Sequence, residues 1–231
     1  MTADDDENGR RPAAARDYRV VLLTITSGAV NAVSFLALGK VFSSVITGNL
    51  VLLGVAATTH SSTEAVHAGL GIAGYAAGIL AGAPLAARSS HQTGAWPASV
   101  TATLATELVV LAGFSLGWEL SDGRPHQGAQ LALLIVAAAA MGVQSSAVRR
   151  LGQMSSTYLT STLLGVLAAL ATRTRPEGLG RSVGALAALV IGALAGGILA
   201  RWAYAWLPVG VLLPLAVVIA ESVATSRHDR A

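Results

Sequence analysis

The chain has 231 residues, of which 53% are hydrophobic and only 12% charged, and its mean hydropathy is +0.62. A water-surrounded globular domain carries roughly a quarter charged residues, so this composition excludes that class and points to a membrane. The formal charge of +3 comes from arginines that flank apolar tracts without forming a basic, aromatic-bearing face, which argues against nucleic acid, and the lack of cysteine excludes disulfide and thiolate chemistry.

In chain order, residues 1–19 read as a polar N-terminal tail, acidic at first and then carrying Arg10, Arg11, Arg16 and Arg19. Basic residues before a first apolar run predict a cytoplasmic N-terminus. That run continues into further ones, which argues against a cleaved secretory signal. Eight apolar segments follow, at 20–38, 42–58, 66–87, 96–118, 127–148, 154–171, 182–204 and 207–224. Most reach the length that crosses hydrocarbon as a helix, and unpaired backbone is too costly in lipid for other open structures. The prediction is an all-α polytopic membrane protein.

Segments 1 and 2 are separated only by Gly39, Lys40 and Val41, and segments 5 and 6 only by residues 149–153. Eight segments therefore make either eight crossings or, if each short pair yields one net crossing, six. With the N-terminus inside, both topologies leave ten basic residues inside. Eight crossings put five outside, whereas six put only Arg124 and Arg201 there and move Lys40, Arg149 and Arg150 into the breaks. The charge bias leans towards six.

The chain also resembles itself. Residues 30–50 align without a gap to 143–163 at six of 21 positions, and 78–86 align to 192–200 at six of nine once one residue is inserted. The expected organisation is a first membrane repeat at 20–118, a connecting loop at 119–126, a second repeat at 127–224 and a C-terminal tail at 225–231. Gly74, Gly78 and Gly82 in segment 3, echoed by Ala188, Gly192 and Gly196 in segment 7, form flat stripes for close helix contact, within the bundle or in a homo-oligomer.

Polar residues inside these segments are the candidate functional groups. Asn31 with Thr47, Gly48 and Asn49, and their repeat counterparts Gln144 with Thr160, Ser161 and Thr162, supply donors and acceptors beside small residues that permit a helix break. Such groups either line a solute pathway or tie helices together; Tyr158 stands half a turn before Thr160 and either lines the same cavity or packs. Glu107, deep in segment 4, is a candidate for proton or cation coupling, because a carboxylate there must be neutral, paired or solvated. Its counterpart Glu221 lies near a segment end, where interfacial water or a terminal arginine suffices. Arg149 and Arg150 are candidates for anion or lipid contact. The five histidines lack metal-ligand spacing, no phosphate-binding loop is present, and no catalytic residue, metal or cofactor is assigned.

The stretches SGAVNAVSFLALGKVFSSVITGNLVLLG at 27–54 and MGVQSSAVRRLGQMSSTYLTSTLLG at 141–165 resemble the YoaK family of bacterial membrane proteins, also known as DUF1275. The resemblance covers about 20–224 and implies an integral membrane protein of that family. Where this chain has Asn31 and Ser145, members of the family often have Asp and Asn. The functional expectation is a secondary transporter or permease for a small solute, in contact with membrane lipid. A channel, a structural or regulatory membrane protein and an intramembrane lipid-acting enzyme remain open.

Overall fold

The computed structural model describes residues 3–88, 96–152, 159–174, 176 and 178–228. Among the described residues the regular structure is helical: α1 (Ala3–Ala37), α2 (Ile46–Thr58), α3 (Ser62–Ala87), α4 (Ala98–Glu119), α5 (Gln127–Arg150), α6 (Leu159–Ala171), α7 (Leu179–Trp202) and α8 (Leu207–His228), with a 3-10 turn at Tyr204–Trp206. The eight segments read from sequence correspond to these helices. The largest shift is at α1, which reaches back to Ala3 into the polar tail; α2 begins four residues later than its segment, α3 begins four earlier and α8 ends four later.

Length separates the helices into two classes. Six contain apolar stretches of 22 to 26 residues, enough to cross a membrane, whereas α2 has 13 residues and α6 has 13 among the described residues. At 1.5 Å per residue a 13-residue helix spans about 20 Å, short of the roughly 30 Å of hydrocarbon. The length of α2 supports three crossings in the first half, with one short helix after the first of them.

The long helices pack in an order that brings sequence-distant elements together. α3 lies along α5 and α1 along α7; α4 packs on α5 and α8, α8 also on α1, α2 on α3 and α6 on α7. Glycine makes the two closest pairs. A Cβ at Gly78 would run into the backbone of Ala139, and one at Gly142 into that of Tyr75. On the other pair, a Cβ at Gly192 would meet the backbone of Ile25, and one at Gly28 that of Leu189. Every member of the second set is 114 residues from its equivalent in the first, so the same contact is made twice. The stripes are therefore spent inside the bundle.

Around these pairs Leu104, Leu111, Phe114 and Trp118 of α4, Leu134 and Met141 of α5, and Leu207 and Leu215 of α8 are fully buried. The outward residues Val190, Leu194 and Ile198 of α7 are exposed and apolar, as a lipid-facing surface requires. Contacts between helix termini identify the two ends of the bundle. At one end the Trp118 indole donates to the Tyr204 carbonyl at 3.1 Å. At the other, Asp17 of α1 pairs with Arg181 of α7 at 3.3 Å.

Candidate functional site

The connection between α1 and α2 folds back into the bundle. Gly39 (φ 104) and Lys40 (φ 58) reverse the chain in the left-handed region. Gly39 has no alternative there, because a Cβ would overlap the His67 imidazole. Residues 41–45 then return along α1 until the Ser44 hydroxyl lies 3.3 Å from that of Ser27. Ser27 is near the middle of the apolar stretch Ala15–Ala37, so α2 starts at mid-depth.

Two asparagines hold this returning strand. Asn31 Oδ1 accepts from the backbone N–H groups of Ser43 (3.1 Å) and Ser44 (3.0 Å), while Nδ2 donates to the Ser27 carbonyl (2.9 Å) and Ser44 Oγ (2.6 Å). In the first turn of α2, Asn49 Oδ1 accepts from the Phe42 N–H at 2.9 Å and Nδ2 donates to the Phe42 carbonyl at 2.6 Å. A non-helical strand at this depth has lost its intrahelical partners, and these amides replace them. Gly71 of α3 leaves the space, since a Cβ there would crowd Asn49 Nδ2. Gly48 packs beside Phe42, and Thr47 is exposed on the outer side of α2.

Glu107 lies elsewhere in the core. It is 0% exposed; Oε1 accepts from Gln144 Nε2 at 2.9 Å, and Oε2 is buried without a partner among the described residues. The same Gln144 nitrogen reaches the Leu23 carbonyl at 3.3 Å, so one amide of α5 joins α4 to α1. Leu23 and Asn31 are eight residues apart on α1, about 12 Å along the helix. α1 therefore connects the re-entrant strand to the buried carboxyl.

Glu221 has a different environment. Its Oε2 is 3.7 Å from Arg19 Nε, and an Arg19 NH2 donates to the Glu221 carbonyl (3.3 Å) and to Thr225 Oγ1 (2.7 Å). The guanidinium is 5.0 Å from the Trp96 ring centroid, and Trp96 Nε1 donates to Thr101, which donates to Ser222. Glu221 is thus satisfied by an arginine, one contributed by α1. At the 114-residue interval the position matching Arg19 beside Glu107 is Leu133, buried and apolar. Of these two carboxyls, Glu221 has a cation beside it and Glu107 has none among the described residues.

The second break is described on its two sides. Arg149 and Arg150 form the last turn of α5 and are exposed, a placement that also suits the negative end of that helix. Tyr158 lies outside the described residues. Thr160 and Ser161 are exposed and Thr162 half-buried in the first turn of α6, which packs on α7. The polar turns of α2 and α6 therefore occupy different walls. The contacts also revise one correspondence: at the 114-residue interval the residue matching Asn31 is Ser145, which receives a 2.7 Å hydrogen bond from the Tyr75 hydroxyl, rather than Gln144. An open cavity of about 140 Å³ between the first turns of α3 and α5 is lined by Ser62, Thr63, Val66, His67, Gln127 and Leu131. Among the described residues no group of three acidic or histidine side chains is placed to hold a metal.

Sequence reading did not select Ser27, Ser43 and Ser44, which complete the Asn31 cluster, or Arg19 as the partner of Glu221. Ser27 stands one helical turn before Asn31, a spacing that could have marked it.

Residues 20–220 match a family model described as a protein of unknown function, DUF1275. The chain is 32% identical over 157 residues to the UPF0700 transmembrane protein YoaK of Bacillus subtilis (strain 168), an alignment covering 67% of each protein. No solved structure matches it.

Proposed function

The chain belongs to the DUF1275 family, and we propose that it is a secondary transporter for a small solute in the bacterial inner membrane, with its N-terminus in the cytoplasm. The observation that carries this reading is the strand at 41–45, which returns to Ser27 and starts α2 at mid-depth. Irregular backbone is tolerated at such depth where it faces protein or a water-filled path, and interrupted helices of this kind form central sites in transporters. The contacts made twice at a 114-residue interval support two halves related by duplication. With three crossings each, such halves are inverted, so the second break belongs to the opposite end.

In this reading the halves rock about the glycine-packed pairs α3–α5 and α1–α7. The polar cluster of Ser27, Asn31 and Ser44 is exposed to each side in turn, and the two asparagines keep the strand intact during the motion. The charge bias of the loops supports the orientation.

Alternation is testable without knowing the solute. A single cysteine at Ser44 in proteoliposomes should react with a membrane-impermeant thiol reagent from either side, slowly from each. Reaction from one side only excludes alternation, and fast reaction with unsaturated ion current identifies a channel instead.

A further inference from the structure

We propose that Glu107 is a proton-binding site that carries its proton on Oε2 and exchanges it with water, making the proton the coupling ion of the transport cycle. The role in the cycle rests on the transport reading; occupancy of the carboxyl does not.

Glu107 is 0% exposed, with one oxygen bonded to Gln144 and the other buried and unpartnered among the described residues. A lone ionised carboxylate in such surroundings costs several kcal/mol, and proteins meet that cost with a proton, a cation or several donors. The equivalent carboxyl shows the cation solution, since Glu221 has Arg19. At Glu107 the matching position is Leu133. The titratable groups on the helices packed around it are committed or distant in sequence from the contact. α8 offers Glu221, held by Arg19; α5 offers Arg149 and Arg150, exposed in its last turn; α3 offers Glu64 and His67 in its first two turns and Tyr75, whose hydroxyl donates to Ser145.

A metal cation fits less well than a proton. Hard cations take about six oxygen ligands, whereas the carboxyl here meets an amide N–H that would oppose a positive ion. A proton needs only the open lone pair of Oε2. Binding forms one O–H bond with a proton taken from water, and release returns it to water, so no other reactant is required. Gln144 then donates to Oε1, which becomes the carbonyl oxygen of the acid. Because the same nitrogen also binds the Leu23 carbonyl, the charge on Glu107 is felt by α1, the helix that holds the re-entrant strand.

Infrared spectroscopy of the purified protein in lipid nanodiscs near neutral pH reads this directly. The wild type should show the carbonyl stretch of a protonated carboxyl, lost in Glu107→Gln and moved to higher frequency in Gln144→Leu, which deprives Oε1 of its donor. In heavy water the band should move as the proton exchanges. Should Glu107→Gln fail to fold, the Gln144→Leu shift alone makes the assignment. A spectrum with only ionised carboxylates, a protonated band indifferent to both variants, or one that does not respond to heavy water overturns the proposal. A responsive band together with one-sided labelling at Ser44 keeps the proton site and discards transport.

Discussion

Asn49 holds the Phe42 peptide from both sides, accepting from its N–H at 2.9 Å and donating to its carbonyl at 2.6 Å. The pair works as a two-bond strand ladder made by a side chain. It explains how eight non-helical residues, 38–45, persist inside a bundle where backbone has no water to bind.

Replacing Asn49 with leucine keeps the branched shape and removes both bonds. Each buried group left unpaired costs about 1–3 kcal/mol, so Asn49→Leu should lose about 2–5 kcal/mol in SDS titration of the micelle-bound protein. Thr47→Ala, two residues away but exposed, should stay within about 0.5 kcal/mol.

Close packing of α3 on α5 depends on Gly78, whose missing Cβ faces the Ala139 backbone. Backbone cannot swing aside as a side chain can, so Gly78→Val should cost at least about 1–3 kcal/mol and reduce the yield of folded protein. Gly192→Val, at the equivalent α7–α1 contact, should behave alike. Gly113→Ala, with open space around it, should be neutral or mildly stabilising in the same titration.

Arg19 is buried beneath Trp96 and bonded to α8, whereas the Glu221 side chain is 42% exposed. The two partners should therefore respond unequally to substitution. Arg19→Met loses charge-assisted bonds in a buried place and should cost about 1.5–3 kcal/mol. Glu221→Gln breaks a partly solvated pair and should cost no more than about 1 kcal/mol, which the same titration distinguishes.

Much of this architecture was legible as sequence because membrane helices write their periodicity and length in apolar residues. All eight helices and the glycine stripes could be read directly, whereas segment 2, drawn at 42–58, read as long enough to cross. The re-entrant path could not, because nothing in the order of residues says that Ser44 returns to Ser27; that depends on where α1 ends and on the turn at Gly39 and Lys40. Glu107 stood out as a deep carboxylate, but its link to Gln144 joins helices whose neighbourhood is set by packing. The gapless alignment paired Asn31 with Gln144, one position away from Ser145, which the contacts place there; the single-residue gap falls between the glycine contacts and the break. Arg149 and Arg150 looked like a connecting loop because their charge hid the last turn of α5.

Alternating access of this kind requires α2 and α6 to be re-entrant helices at opposite ends. The chain has no cysteine, so single cysteines at His60 and Arg173, each just beyond one short helix, report cleanly in proteoliposomes of uniform orientation. Six crossings predict that an impermeant thiol reagent modifies these two positions from opposite sides, whichever side holds the N-terminus. Modification of both from the same side, as eight crossings require, would contradict the re-entrant arrangement and the alternating site built on it.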